Sequence, residues 1–248
     1  MKKTVPSISC HHGDIDHQNN IEAAVYILHD NPDIDIMEID FVLYGKELIS
    51  SHDYSAHSIL NGATLLEWIE LVIIKEKKVL WIDLKPKIDL SVFFWSIAKE
   101  EVNCLSILLD EACSRWGIWI RPYILMTSQD PTITHEIEQT LSRNYQIVAD
   151  IPNMSSYVWQ DILPFGLQGW LDDSVYDHFM NRYDFSRHPI VAIDKSFFGH
   201  SVKRVLRFIY DSSIKEGTTI IIYNFKVGAP IVRDPLYNIV MQYDFKHI

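Results

Sequence analysis

ATLLEWIELVIIKEKKVLWIDLK, residues 63–85, has the pattern of one helix followed directly by one strand. Thr64 precedes Glu67 in the spacing of a capping box, in which each side chain binds the backbone amide of the other residue, and this predicts a helix start. Apolar residues then recur at helical spacing as far as Lys75. The run from Val79 to Lys85 is short, apolar and rich in β-branched and aromatic residues, which is typical of a buried strand in a parallel sheet. The stretch therefore predicts one helix–strand unit of an α/β protein.

The same rhythm of strands and helices extends along the chain. The predicted strands are Val5 to Cys10, Ile34 to Leu43, Val79 to Lys85, Pro122 to Thr127, Gln146 to Ile151, Gly166 to Leu171, Pro189 to Asp194 and Thr218 to Asn224. The predicted helices are Ile21 to His29, Thr64 to Lys75, Leu90 to Trp116 (with a break), Thr132 to Ser142, Ser156 to Ile162, Ser174 to Tyr183, Val202 to Ser212 and Pro235 to Phe245. This order and a length of 248 residues predict a single α/β domain, residues 1–248, folded as a TIM-type (β/α)8 barrel. An open doubly wound sheet is the alternative, because periodicity does not show closure.

Composition excludes several classes of function. The formal net charge of -11 disfavours a nucleic-acid partner, since phosphate backbones would be repelled. The apolar runs are much shorter than the ~18 residues of a membrane-spanning helix. Three cysteines without a C-x-x-C pair favour a reducing compartment, and no signal peptide is visible, so we expect a cytoplasmic protein. The dinucleotide, phosphate-loop, serine-hydrolase and H-E-x-x-H motifs do not occur.

In a (β/α)8 barrel, functional side chains lie where strands end and loops begin. Glu38 and Asp40 are two apart on one predicted strand and so project from the same side, and Asp83 and Lys85 repeat this arrangement on the next. A half-solvated strand or a simple Asp83–Lys85 ion pair would also explain these pairs. Because barrel strands are covered on both faces, however, the carboxylates would be costly there without a compensating cation or hydrogen-bond donors. Glu38, Asp40 and Asp83 together form an all-oxygen set, which predicts Mg²⁺ or Ca²⁺.

Two histidines follow the same strands. His11 and His52 lie just beyond the predicted strands that border this site, and imidazoles that titrate near neutral pH can act as general acid and base. Apart from His12, each of the other histidines is interpreted as a surface residue.

These residues together resemble a known superfamily. The order His11-His12-Gly13, Glu38-x-Asp40, His52-Asp53 and Asp83-x-Lys85 resembles the phosphodiesterases that include glycerophosphodiester phosphodiesterases and phosphatidylinositol-specific phospholipases C. Gln18-Asn19-Asn20 resembles the E-N-T element that follows H-R-G in the glycerophosphodiester enzymes. The resemblance implies a TIM barrel with two catalytic histidines and a divalent cation.

The sequence also departs from that pattern. His12 stands where the superfamily has a phosphate-contacting arginine, and Asp83 replaces a glutamate ligand. Asp83 follows His52 at a spacing of only 31 positions, too short for the insertion that shapes the glycerol pocket of the glycerophosphodiester enzymes. The T-L-x-E-W helix and D-x-K strand of residues 63–85 are more similar to the menorin family.

The sequence therefore predicts a metal-dependent phosphoric diester hydrolase, or a related lyase that forms a cyclic phosphate, acting on a small glycerophosphodiester-like or phospholipid-derived substrate. Lys85 would neutralise the phosphate beside the cation, and His12 would add a contact to it. Trp170 would pack against an apolar part of the substrate, although a buried place in the barrel wall explains it equally well. A non-catalytic barrel that binds a phosphorylated ligand or protein partner is the rival hypothesis, and a metal-dependent hydrolase of other esters is a third.

Overall fold

The computed structural model describes residues 7–11, 19–52, 54–85, 94–128, 131–150, 186, 188–198 and 200–245. Its strands are β1 (Ser7–His11), β2 (Ile34–Tyr44), β3 (Glu47–Ser50), β4 (Val79–Leu84), β5 (Ile124–Thr127), β6 (Gln146–Asp150), β7 (Ile190–Asp194), β8 (Thr219–Lys226) and β9 (Asn238–Asp244). Its α-helices are α1 (Ile21–Asp30), α2 (Ala56–Asn61), α3 (Leu65–Trp68), α4 (Phe94–Trp116), α5 (Pro131–Leu141) and α6 (Val202–Asp211).

Eight parallel strands close into a barrel. The order along the sheet is β1-β9-β8-β7-β6-β5-β4-β2, and β1 also pairs with β2, which completes the ring. All eight of these pairings are parallel, whereas β3 is antiparallel and extends the sheet from β2 as a hairpin. The TIM-type (β/α)8 barrel is confirmed, and the open-sheet alternative is wrong.

The eighth barrel strand is β9, where the sequence predicted a helix from Pro235 to Phe245, and that prediction is wrong. Asp234 does cap backbone amides, since its Oδ1 accepts from the amides of Leu236 and Tyr237, but the capped segment is a turn that leads into a strand. Residues 238–244 alternate between the barrel interior and its outer wall, which is the period of a strand. The predicted strand at 166–171 and the predicted helices at 156–162 and 174–183 lie outside the described residues.

Side-chain caps begin the first three helices: Asn20 caps α1, Ser55 caps α2 and Thr64 caps α3. The predicted capping box is present, because Thr64 accepts from the amide of Glu67 while Glu67 accepts from the amide of Thr64. The helix that follows continues as a π-helix over Ile69–Lys75. The break expected in the long helix does not occur within Phe94–Trp116, which is continuous.

The apolar core has two layers. One layer lies inside the barrel and includes Trp81, Leu125 and Val148. The other, larger layer lies between the barrel and the helices around it. In the part of the chain that the structure describes, no helix combines the length and apolarity needed to cross a bilayer.

Candidate active site

The structure brings the three predicted carboxylates together inside the mouth of the barrel. Asp40 on β2 pairs in register with Asp83 on β4, and Glu38 lies one inward-facing position below Asp40. One carboxylate oxygen from each residue lies within 4.8 Å of those of the other two. All three residues are buried, with Asp40 at 0% exposure. Adjacent parallel strands therefore place three negative charges in one buried space.

Lys85 lies among these carboxylates. Its Nζ is 2.6 Å from Asp83 Oδ2 and 2.9 Å from Asp40 Oδ1, so the predicted Asp83–Lys85 pair extends to Asp40. Burial alone would lower the pKa of Lys85, but attraction to Asp83, Asp40 and Glu38 outweighs burial and raises it. The ammonium remains charged and offsets one of the three negative charges.

Asn19 fixes the orientation of Asp40. The Asp40 amide donates to Asn19 Oδ1 at 2.9 Å, and Asn19 Nδ2 donates to Asp40 Oδ2 at 3.1 Å. Asn19 has a left-handed backbone with φ of 60°, a conformation that asparagine tolerates better than most residues, and its carbonyl accepts from Ser50 Oγ at 2.8 Å. Next to it, Asn20 caps α1. The sequence indicated this segment only through its E-N-T-like pattern and did not predict this role.

The carboxylate set fits a divalent cation. Asp83 Oδ2 contacts Lys85, whereas Asp83 Oδ1 is buried without a hydrogen-bond partner among the described residues. A buried carboxylate oxygen left in this state is costly unless a cation binds it. Three carboxylates and one ammonium leave two uncompensated negative charges, and hard carboxylate oxygens suit Mg²⁺ or Ca²⁺.

His11 borders the carboxylates and is held by the last strand. Its Nδ1 lies 3.0 Å from Asp244 Oδ1 and its Nε2 lies 3.7 Å from Glu38 Oε2, with about a quarter of the side chain exposed. When Nδ1 carries the ring proton, Nδ1 donates to Asp244. The unprotonated Nε2 is then the nitrogen nearer Glu38. Asp244 was missed because residues 235–245 were predicted to be a helix rather than a strand ending at the barrel mouth.

The structure does not bring the other predicted site residues, His52, His12 and Trp170, into described contact with the carboxylate cluster. His52 is exposed on the loop after β3, next to buried Ser51, whose amide donates to the carbonyl of Asp40 at 3.0 Å. His12 and Trp170 lie outside the described residues.

Further acidic side chains occupy the far side of the mouth. Asp150 ends β6 and accepts from the Tyr223 hydroxyl at 2.9 Å, and Asp194 ends β7 in register with Tyr223. Burial, reinforced by the charge of Asp83, raises the pKa of Asp150 well above its usual value. Asp150 is therefore held in its protonated form over a wider pH range than an ordinary aspartate.

Comparisons with known proteins support the architecture. Family profiles and curated proteins gave no match to the sequence. A solved protein from Silicibacter pomeroyi, named as a glycerophosphoryl diester phosphodiesterase, is similar with a TM-score of 0.60 and 11% identity, covering 98% of this chain and 91% of its own. The glycerophosphodiester phosphodiesterase of Agrobacterium tumefaciens has a TM-score of 0.55 and 10% identity, with 97% and 96% covered. A phosphodiesterase of Oleispira antarctica, solved with the product sn-glycerol-3-phosphate, has a TM-score of 0.57 and 15% identity, with 96% and 93% covered. At such identities the likeness establishes the shared barrel fold.

Proposed function

We propose that this chain is a cation-dependent phosphoric diester hydrolase, or a related lyase that forms a cyclic phosphate. The observation that carries the proposal is the buried cluster of Glu38, Asp40 and Asp83 around Lys85 at the mouth of the barrel. The similarity in fold to three proteins named as phosphodiesterases supports it.

Each group of the cluster has a chemical role in this proposal. Glu38, Asp40 and Asp83 hold Mg²⁺ or Ca²⁺, which when bound supplies positive charge to a phosphoryl oxygen. Lys85 has three ammonium donors; two are directed at Asp83 Oδ2 and Asp40 Oδ1, and the third would donate to a phosphoryl oxygen. The acidic cluster thereby becomes able to accept an anionic diester.

His11 is proposed to transfer a proton. With Nδ1 held by Asp244, Nε2 is the nitrogen that would exchange a proton; of His11 and His52, one takes the proton of the attacking hydroxyl and the other protonates the leaving alkoxide. His52 is proposed as the second acid–base group. His12 is proposed to contact phosphate, and Trp170 to pack against an apolar part of the substrate.

The substrate proposed is a small phosphodiester of the glycerophosphodiester or phospholipid-derived kind. The attacking group is water or a neighbouring substrate hydroxyl, and the second route yields a cyclic phosphate. The local resemblance of residues 63–85 to menorins stays a prediction.

Phosphorus NMR of glycerophosphocholine, lysophosphatidylcholine and bis(p-nitrophenyl) phosphate, each with Mg²⁺, Ca²⁺ or EDTA, tests the proposal. We expect cation-dependent loss of the diester signal, with appearance of a monoester or a cyclic phosphate. Loss of activity in Lys85→Met, with retention in the surface variant Lys203→Met, would assign turnover to this site. If none of the diesters is consumed under any condition while the cation still binds, a non-catalytic binding role is favoured.

A further inference from the structure

The loop that carries His52 is anchored on both sides to strands of the candidate site. Before His52, the amide of Ser51 donates to the carbonyl of Asp40 at 3.0 Å. After it, the hydroxyl of Tyr54 accepts from the amide of Leu43 at 3.3 Å and lies 3.5 Å from the carbonyl of Lys85. Among the hydrogen bonds of the described residues, one from the backbone of Ser51 and others from the Tyr54 side chain therefore tie the loop that carries His52 to the strands of Asp40 and Lys85.

A buried carboxylate holds the Tyr54 anchor in place. Glu101 on α4 has 0% exposure, and its Oε1 lies 3.2 Å from the Tyr54 hydroxyl. The Tyr54 hydroxyl has one proton to donate. The Glu101 carboxylate is nearer than the carbonyl of Lys85 and is the stronger acceptor, so the hydroxyl donates to Glu101. Burial, followed by the negative charge of Glu101, raises the pKa of Tyr54, so the phenol keeps the proton that it donates.

Glu101 differs from its neighbours on α4. The other buried residues of the helix between 99 and 116 are apolar: Val102, Leu105, Leu109 and Ala112. Burying a carboxyl among these apolar side chains costs free energy, and an apolar side chain at the same position would not incur that cost. A contact that orders the loop at the active-site mouth gives this buried carboxyl a role that packing alone does not explain.

We propose that Tyr54, held by Glu101, is a positioning residue for His52. The inference rests on the proposed function, since His52 is there the second acid–base group. Tyr54 acts through the loop, because its described hydrogen bonds go to the backbone of Leu43 and Lys85 and to Glu101.

The first test is kinetic. Tyr54→Phe removes only the hydroxyl and should lower kcat by about 10- to 100-fold with KM changed less than about threefold, as expected for a displaced catalytic group. Glu101→Gln retains an acceptor for the phenol and should stay within about threefold of wild type, whereas Glu101→Leu should resemble Tyr54→Phe. Tyr237→Phe is the matched control, because that buried phenol donates to the carbonyl of Ile214 at 3.3 Å, before β9 and far from His52 in sequence. It should change kcat little.

The decisive comparison uses His52→Ala as background. If Tyr54 acts through His52, Tyr54→Phe should lower kcat less than about twofold in the His52→Ala protein. An equal loss of kcat in both backgrounds would overturn the proposal and leave Tyr54 a general structural role.

A second readout does not depend on activity. The His52 ring Cε1–H resonance, assigned from its absence in His52→Ala, should shift or broaden in Tyr54→Phe and stay unchanged in Tyr237→Phe. Hydrogen exchange of the Leu43 amide should become faster only in Tyr54→Phe, as this amide loses its acceptor. If the wild-type protein hydrolyses no diester, the proposed function fails. The His52 resonance still tests whether Tyr54 positions His52, because an unchanged resonance in Tyr54→Phe overturns the positioning proposal.

Discussion

Divalent cations should stabilise the folded protein through Glu38, Asp40 and Asp83. One Lys85 ammonium offsets one of three buried carboxylates, so two negative charges remain where Asp83 Oδ1 has no hydrogen-bond partner among the described residues. The unfolded chain has no such preformed arrangement, so the cation binds the native state preferentially.

The size of the effect follows from linkage. At a cation concentration of ~100 times Kd, binding adds about 2.7 kcal/mol to the free energy of unfolding. For a domain of this size, each kcal/mol raises Tm by about 2–4 °C, so the expected increase is about 5–11 °C relative to EDTA. Thermal melts followed by circular dichroism, with Mg²⁺ and Ca²⁺ titrated separately, measure it.

Two variants assign the shift to the site. Asp83→Asn keeps the size of the side chain but removes one charge, and a tenfold weaker Kd would reduce the increase to about 1.4 kcal/mol, or about 3–6 °C, at the same concentration. Asp110→Asn, an exposed carboxylate on α4, should retain the full increase. A Tm that neither cation changes at saturation, or an equal shift in Asp83→Asn and wild type, would refute the reasoning.

Three other outcomes are expected. Asp244→Asn should lower kcat by about 10- to 100-fold, because the amide can offer its NH₂ to Nδ1 and select the wrong tautomer of His11, and activity equal to wild type would contradict the His11–Asp244 assignment. Alanine at His11 or His52 should each lower kcat by roughly 10²- to 10⁴-fold, with the double variant losing less than the product, and full activity in His52→Ala would remove that residue from the pair. Folding raises the pKa of Asp150, so the protonated carboxyl contributes to stability. This contribution is fully present below the pKa of aspartate in the unfolded chain, about 4, and is lost as pH rises through the pKa of Asp150 in the folded protein. In EDTA, urea unfolding should therefore show Asp150→Asn gaining stability relative to wild type as pH rises, and parallel pH profiles would contradict this.

The sequence alone predicted the parts of the site that depend on strand register. Residues two apart on a strand share a face, so Glu38 with Asp40 and Asp83 with Lys85 could be placed from spacing, and the structure brings them together. The alternation of strands and helices predicted the barrel class, although periodicity does not show closure and β9 was predicted to be a helix.

Contacts that do not follow from strand register could not be predicted. Asp244 lies 233 positions from His11, and its strand follows an Asp-Pro cap signal that is also typical of a helix start. Asn19 contacts Asp40 through a left-handed turn that spacing does not reveal. The bond between Tyr54 and Glu101 joins a loop to a helix 47 residues away, which only the folded chain brings together.

The most direct test of the account compares cation binding with turnover on the same protein. Calorimetry gives Kd for Mg²⁺ or Ca²⁺, and phosphorus NMR gives the initial rate of diester cleavage as that cation is varied. The account predicts that half-maximal rate occurs at the calorimetric Kd and that both values rise together in Asp83→Asn. Turnover that stays undiminished in EDTA, or in a variant that no longer binds the cation, would contradict it.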